Sequence, residues 1–332
     1  MKTIKNIATP VCWLLILACA ISSCKNGEIE FPDFEEGTTV YFPYQYPVRT
    51  IVLGDDEYDT SMDQAHKCKI MATFGGSYNG SNGSVTVAVD EKLCNNLFFE
   101  DGVTPVKAMP SRFYQLSTTT LNFNGTMNGA TEVQLTNDFF DDPDAVKNTY
   151  VIPLVMIDQK GFGKILTGRL NEGQTGSRTD ASVWDVKPMD YVLYCVKFQN
   201  KYSGFWLTHG TTSTADIEKA QPVEIRSLSL SACAYTVSYQ DGDQIYSADL
   251  KLSFDGSDKC TITSLTEGVT ASGTGSWGDN TEKKAWGNKD RDGMELDYKV
   301  DFGGGKVFST HEKMVWQRSG VTIEEFAPVY VK

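Results

Sequence analysis

Cys24 is the residue whose surroundings define its chemistry most clearly. It ends residues 21–24 (ISSC), which follow a short basic start and a short apolar run. This order is typical of a secretory signal peptide, and small residues directly before a cysteine are typical of a lipobox, where the thiol is acylated. Cys19 is a competing site, but Leu17 fits poorly where a small or β-branched residue is usual. We therefore predict a lipoprotein signal peptide over residues 1–23 and a lipid anchor on Cys24.

The predicted anchor and the charge of the chain together limit its possible partners. Acyl chains on Cys24 would hold the protein at a membrane surface, and two or more chains anchor it stably. The apolar run is too short to span a bilayer with margin, so we do not expect it to remain as a membrane helix. The chain has 43 acidic and 30 basic residues, a net charge of −13. So acidic a protein repels phosphate backbones, which argues against nucleic acid as a partner.

Residues 292–299 (DGMELDYK) come nearest to a catalytic motif. They resemble the D-G-x-D-x-D-x-E signature of chitinase-like glycosidases, but Lys299 stands where the general acid would be, and Glu295 replaces the first inner aspartate. An ammonium group with an ordinary pKa cannot protonate a glycosidic oxygen as a tuned carboxylic acid does. Those enzymes also need a (β/α)₈ barrel, which this β-rich sequence does not predict. We therefore predict no catalytic residues and no enzymatic activity.

Metal and cofactor sites are not predicted either. Acidic loops at residues 55–59, 138–144 and 241–243 could offer oxygen ligands to Ca²⁺, but none has the twelve-residue loop with a distal glutamate. The five cysteines after Cys24 show no C-x-x-C or Cys/His spacing, which argues against zinc. We expect these cysteines to be buried free thiols. No P-loop or dinucleotide fingerprint occurs, so we predict no cofactor.

Aromatic residues beside polar ones are the remaining candidates for ligand binding. The apolar faces of sugar rings can lie on Trp and Tyr, while sugar hydroxyls bond to Asp, Asn, Arg and Lys. The two tryptophans of residues 277–292 each precede a glycine, which allows close backbone approach. The alternative is that each aromatic fills a core. The candidate glycan-binding residues are Trp277, Trp286, Asn288, Lys289, Asp290, Arg291, Asp292, Tyr202 and Trp206.

The elements that must position these residues are predicted to be strands. Thr, Ser, Val, Tyr and Phe are abundant, Gly numbers 29, and helical periodicity is scarce, which predicts an all-β protein with many turns. Strand-like runs follow one another over residues 38–167 at the spacing typical of an Ig-like β-sandwich. The most apolar run, residues 149–157, contains Pro153, which favours a sheet edge or a bulge.

Composition divides the rest of the chain. Residues 24–37 are polar and acidic and are predicted to form a tether. The strand pattern stops over residues 168–188, which have the composition of a linker. Eight or more alternating strands with short turns then predict an antiparallel, barrel-like (lipocalin-like) domain over residues 189–332. A second open sandwich is the competing geometry.

Several sequence phrases resemble a two-domain family of Bacteroidetes surface lipoproteins. They are residues 46–57, 63–67, 144–154, 184–194 and 286–292. The resemblance implies an N-terminal β-sandwich of unassigned role, a module also found ahead of endo-β-N-acetylglucosaminidase domains, followed by an uncharacterised C-terminal β domain. It further implies a likeness to the accessory lipoproteins of polysaccharide-utilisation systems.

The expected function follows from the anchor and this resemblance. Residues 25–30 (KNGEIE) resemble the acid-containing export signals that place such lipoproteins on the outer face of the outer membrane. We expect a surface-exposed, non-catalytic accessory protein that binds a glycan beside an outer-membrane importer. One alternative is an adhesion or structural protein whose ligand is another surface protein. A second is a small-molecule carrier that uses the barrel interior.

Overall fold

The computed structural model describes residues 33–35, 37–213, 215–218 and 222–332. The predicted signal peptide, the anchor at Cys24 and most of the predicted tether lie outside the described residues. Within them, the structure is almost entirely β, as the composition predicted. The two described α-helices have four residues each, and neither is long and apolar enough to cross a bilayer.

The N-terminal part of the chain consists mainly of short strands and short helical turns. Its strands are β1 (Thr39–Tyr41), β2 (Pro47–Val52), β3 (Lys67–Gly75), β4 (Ser84–Val89), β5 (Leu97–Phe98), β6 (Lys107–Ala108), β7 (Tyr114–Leu116), β8 (Thr120–Asn122), β9 (Asn128–Leu135), β10 (Tyr150–Lys160), β11 (Lys164–Ile165), β12 (Arg169–Leu170), β13 (Trp184–Val186) and β14 (Tyr191–Gln199). Its helices are α1 (Ser61–Gln64) and α2 (Asn137–Phe140), with 3₁₀ turns at Glu91–Cys94, Ser111–Phe113, Pro143–Val146 and Ala181–Val183.

The C-terminal part consists mainly of longer strands, together with a few short ones. They are β15 (Gly204–Thr212), β16 (Asp216–Glu218), β17 (Val223–Ser229), β18 (Ala232–Asp241), β19 (Gln244–Phe254), β20 (Lys259–Ser264), β21 (Thr270–Glu282), β22 (Arg291–Asp301), β23 (Val307–Arg318), β24 (Glu324–Glu325) and β25 (Val329–Tyr330). A 3₁₀ turn at Trp286–Asn288 lies between β21 and β22.

Two sheets packed face to face form the N-terminal sandwich. One sheet has the order β11-β1-β3-β9-β7, and the other contains β24-β2-β14-β10-β4-β8. Alternate residues of the strands point inward, so that β3 and β9 show a regular buried/exposed pattern. The inward side chains join into one core that includes Phe42, Phe113, Phe139 and Phe198. The predicted sandwich is therefore confirmed.

The C-terminal part is a closed barrel of eight antiparallel strands. Strands β17 to β23 follow in order, and β15 closes the barrel by pairing with both β17 and β23. This closure confirms the predicted barrel and excludes the open sandwich. It also removes the unpaired strand edges that an open sheet would leave.

Side chains fill the interior of the barrel. Twenty buried residues, among them Trp206, Leu250 and Leu296, form a single cluster. Glu312 is fully buried, and it accepts hydrogen bonds from the hydroxyl groups of Tyr298 (2.6 Å), Thr208 (2.6 Å) and Tyr235 (3.1 Å). Because the interior is packed in this way, the fold gives no support to the alternative of a carrier that encloses a small molecule.

The chain crosses between the two domains twice. Strand β14, which the sequence assigned to the second domain, pairs with β10 and β2 and therefore belongs to the sandwich. After the barrel, the chain returns: β24 pairs with β2, and β25 pairs with β5. Phe326 lies between them and packs against Tyr46 and Phe99. The predicted linker, residues 168–188, contains the hairpin pair β12–β13.

Candidate functional site at the domain junction

A cleft of about 380 Å³ opens where the sandwich meets the barrel. We call it the junction cleft. Both domains line it. The sandwich contributes Leu53, Gly54, Asp55, Gln64 and His66, and the barrel side contributes Lys201, Trp277, Asp279 and Asp292. Clefts between domains are common sites of ligand binding, because two rigid units can present side chains from opposite sides.

The connector between the domains is held in place by Asn200. This residue is almost fully buried, and its amide nitrogen donates to the carbonyl oxygens of Ser229 (2.7 Å) and Ala232 (3.1 Å). Its side-chain oxygen accepts from the Tyr202 amide and the Ser203 hydroxyl. These hydrogen bonds hold the connector against the barrel, next to Lys201, which lines the cleft.

Gly54 brings the sandwich close to this connector. A Cβ atom at Gly54 would lie 3.2 Å from the Cα atom of Lys201, so the two backbones approach too closely for a larger side chain to fit without movement. The loop that follows β2 can therefore pack directly against the connector. Gly54 and Lys201 both line the junction cleft at this point of close approach.

Helix α1 fixes the sandwich wall of the cleft. The buried carboxylate of Asp63 accepts hydrogen bonds from the Arg49 guanidinium and from the backbone amide of Val52 (3.0 Å). The helix ends at Gln64, and His66, with a φ of +58°, turns the chain into β3 and packs its ring on Phe140 at 4.1 Å. Burial lowers the pKa of the His66 imidazole, which favours the neutral form of this side chain.

Trp277 forms part of the barrel wall of the cleft. Its ring packs against the barrel core, and the Lys201 ammonium lies 4.2 Å from the ring centroid in a cation–π contact. Lys201 also pairs with Asp258 at 2.8 Å. Tyr202 supports this arrangement from below, since it meets Trp277 edge to face, stacks on Phe254 and donates to Asp258. Trp277 is thus half-buried, with the polar groups of the cleft around it.

Carboxylates dominate the charge of the cleft. Burial, together with the neighbouring Asp279 and Asp55 carboxylates, raises the pKa of Asp292 to about 6. The backbone amide of Asn280 opposes this shift by donating to Asp292 Oδ1 at 2.9 Å. Asp292 therefore changes from a hydrogen-bond donor to an acceptor as the pH rises through about 6.

The predicted site residues fall into three groups. Trp277 and Asp292 line the junction cleft, with Tyr202 beneath it. Trp206 is fully buried inside the barrel, where a ligand in the cleft cannot reach it. The remaining residues lie outside the cleft lining: Trp286, Asn288, Lys289 and Asp290 are on the turn between β21 and β22, and Arg291 is the first residue of β22.

The turn nevertheless faces the junction. Trp286 is 47% exposed, and its carbonyl oxygen accepts a hydrogen bond from Arg291 Nε at 3.0 Å. Arg291 is itself buried, and its guanidinium lies 3.8 Å from the Glu57 carboxylate of the sandwich. Arg291 therefore forms an ion pair between the two domains. Asp290 stabilises the turn through an ion pair with Lys283.

Sequence reasoning missed most of the sandwich wall. Gln64 and His66 lie in residues 63–67 and Asp55 lies in residues 46–57, two of the phrases that carry the family resemblance, but the sequence offered none of the three as a glycan-binding residue. The described residues contain no group of three or more His, Cys, Asp or Glu side chains arranged to hold a metal ion. The five cysteines in this part of the chain are free thiols, as predicted, and four of them are buried.

The fold and the junction cleft define a two-domain, all-β protein in which a sandwich is fastened to a closed barrel. The chain belongs to the same family as a Bacteroides ovatus protein of unknown function, whose crystal structure it matches with a TM-score of 0.81 and 32% sequence identity. The match covers 90% of this chain and 100% of that chain.

Family models match each domain separately. A domain of unknown function (DUF5627) matches residues 201–320, and a model described as an N-terminal domain matches residues 34–163. The first of these begins directly after β14, in agreement with the position of that strand in the sandwich. No curated protein matches the chain.

Two further Bacteroides ovatus structures are more distant. A multidomain protein that includes DUF1735 is 12% identical with a TM-score of 0.43, and covers 86% of this chain and 99% of its own. A protein named provisionally as carbohydrate binding is 13% identical with a TM-score of 0.25, and covers 88% and 99%. With TM-scores below 0.5, neither structure informs the function of this chain.

Proposed function

We propose that this protein binds glycans non-catalytically at the junction cleft. The observation that supports the proposal best is the combination, in one concave site between two domains, of the Trp277 ring with the carboxylates of Asp55, Asp279 and Asp292. Gln64 adds an amide that can both donate and accept hydrogen bonds. A sugar presents an apolar ring face bordered by hydroxyl groups, and this mixture of aromatic and polar side chains complements it.

We further propose that the protein is a lipoprotein of the outer surface and an accessory component of a polysaccharide-uptake system. Support comes from the lipobox that ends at Cys24, from the acidic residues after it, and from the family resemblance of the sequence. A protein anchored beside an importer would keep its glycan ligand near the point of entry. In this proposal, the membrane anchor and the binding cleft both contribute to glycan uptake.

A glycan array followed by isothermal titration with the full mature chain, residues 24–332, tests the binding proposal. We expect Asp279→Ala and Gln64→Ala each to lower the affinity for the best glycan about tenfold, which corresponds to about 1.4 kcal/mol. Asp243→Ala is the matched control, because Asp243 is an exposed carboxylate in the β18–β19 hairpin, at the opposite end of the barrel.

Three results would contradict the proposal. If no saccharide on a broad panel bound while crosslinking recovered a protein partner, the adhesion alternative would replace it. If the control variant lost as much affinity as the cleft variants, the cleft would not be the binding site. If glycan chains were cleaved, and cleavage was lost in Asp292→Asn, the protein would be an enzyme.

A further inference from the structure

A second concavity lies on the sandwich beside the junction cleft. It has a volume of about 400 Å³ and is lined mainly by apolar and aromatic side chains, including Tyr44, Pro47, Val48, Tyr58, Val321 and Ile323. We call it the tyrosine groove. Strand β2 forms its floor, and the segment that returns from the barrel to β24 forms one side.

The side chains of the tyrosine groove are unusually exposed for their type. Tyr44 is 59% exposed, Tyr58 is 42% exposed, and Ile323 is fully exposed. Contiguous exposed apolar side chains with a polar rim mark interaction sites on soluble proteins. Here Arg49 and Glu325 supply the polar rim. Arg49 is held in place, since it donates to the Thr50 carbonyl oxygen at 2.8 Å and to Asp63.

The tyrosine groove and the junction cleft share a wall. The loop after β2 and helix α1 form it: Leu53, Gly54 and Asp55 face the cleft, whereas Tyr58, in the same loop, faces the groove. Within α1, the Asp63 carboxylate accepts a hydrogen bond from Arg49, which lines the groove. The next residue, Gln64, lines the cleft. The two concavities therefore lie on either side of this wall.

We propose that the tyrosine groove is a second sugar-binding subsite and that the ligand is an oligosaccharide chain long enough to cross this wall. The inference rests on the proposed function of the junction cleft and adds the class of ligand. Tyr44 and Tyr58 offer ring faces and hydroxyl groups to one sugar, while the carboxylates and amide of the cleft bind another. Because a chain held in the cleft presents its next sugars to the groove at high effective concentration, occupation of both subsites raises the affinity.

Titration of the full mature chain with oligosaccharides of increasing length tests this inference. The probe is the best glycan from the array, used from the disaccharide to the hexasaccharide. We expect the affinity to rise roughly tenfold or more with length. Tyr58→Ala and Tyr44→Ala should each remove most of this rise and leave the affinity for the disaccharide within twofold. The Phe variants at both positions should keep most of the rise, because they keep the ring.

Tyr78→Ala is the control for the two alanine variants. Tyr78 is also an exposed tyrosine of the sandwich, but it follows the end of β3 opposite to α1. The Tyr78→Ala variant should leave the dependence of affinity on oligosaccharide length unchanged. Using two groove variants guards against one of them failing to fold.

Several outcomes would overturn the inference. An affinity that does not change with length would do so, as would equal loss of disaccharide and hexasaccharide binding in the tyrosine variants; the proposed function would then stand without the second subsite. Recovery of a protein through a photo-crosslinker at position 58, without any length dependence, would identify the groove as a protein-binding surface. If no saccharide bound to the chain at all, the proposed function itself would fail.

Discussion

Asp292 shows how the junction changes the chemistry of a single residue. In the sequence it begins an alternating strand and looks like an exposed carboxylate after a turn. In the structure it is half-buried beside Asp279, and the sandwich brings Asp55 to it from more than two hundred positions earlier in the chain. The pKa of its carboxyl is raised from 3.8 to about 6, first by burial and then by these two carboxylates.

This shift predicts a pH dependence of stability. Between about pH 4 and pH 6 the folded protein retains a proton that the unfolded chain has released, so the contribution of Asp292 to stability falls as the pH rises. Asp292→Asn removes this loss. We compare the free energy of unfolding of the variant with that of the unmodified protein. We expect this difference to shift in favour of the variant by about 1 kcal/mol from pH 4.5 to pH 7.5, after allowance for solvent screening.

Urea unfolding at these two pH values measures the effect. Asp243→Asn, in the exposed hairpin turn, is the control and should follow the pH dependence of the unmodified protein. An Asp292→Asn variant with an unchanged pH dependence would show that the carboxyl titrates alike in the folded and unfolded states.

At the scale of elements, the glycines of β21 leave space for large side chains in the barrel interior. Its alternating glycines face inward, where there is no room for side chains. A Cβ atom at Gly275 would lie 2.5 Å from Leu296 Cδ2 and 2.9 Å from Cys260 Sγ, and one at Gly273 would lie 2.4 Å from Tyr298 Cβ. The large side chains of β22 thus occupy the space that the glycines of β21 leave.

Gly275→Val should therefore destabilise the barrel. The added side chain has to displace Leu296 or the backbone of β22, and overpacking of this kind costs about 1–3 kcal/mol. Thr274→Val is the control, since Thr274 lies on the same strand with its side chain outside the barrel. Chemical denaturation measures both variants; equal stability of the two would mean that the barrel interior adjusts without cost.

Pro153 in β10 shows what an element-level prediction can miss. A proline within an apolar strand favoured a sheet edge or a bulge, but β10 lies between β14 and β4 in the sheet. The ladder with β4 begins only at Leu154, so the missing N–H of Pro153 falls just beyond its end. The expected edge is wrong, and the bulge occurs further along, between Met156 and Asp158.

At the scale of the whole molecule, the chain joins the two domains twice. The connector held by Asn200 leads into the barrel, and the segment ending in β24 and β25 leads back to the sandwich. Phe326, almost fully buried on this return, packs against aromatic rings of the sandwich. A cleft lined by both domains keeps its shape only when such links prevent relative motion.

The location of the molecule is tested at Cys24. If the thiol carries the lipid anchor, Cys24→Ser should move the protein from the membrane fraction to the soluble fraction, because one or more acyl chains supply its affinity for the bilayer. Glycan binding in vitro should remain intact. Cys19→Ser is the control and should stay in the membrane fraction. The reverse pattern would identify Cys19 as the anchor.

The sequence by itself determined the all-β class and the sandwich followed by a barrel. These features depend on local patterns: strand alternation repeats every two residues, and turns are marked by glycine and polar residues. Trp277 and Asp292, which both line the cleft, could be selected as candidates because aromatic and polar residues are concentrated over residues 277–292. The predicted loop is shorter than expected, since the structure places Trp277 in β21 and Asp292 in β22.

Only the tertiary structure decided which residues share a site. Asp55 and Gln64 meet Trp277 and Asp292 across a junction that depends on contacts between distant parts of the chain. For the same reason the sequence could not show that β14 pairs within the sandwich, that the C-terminal segment returns to it, or that Trp206 points into the barrel. The alternation of a strand shows that one face is buried, but the partner that buries it is chosen by the packing of the whole molecule.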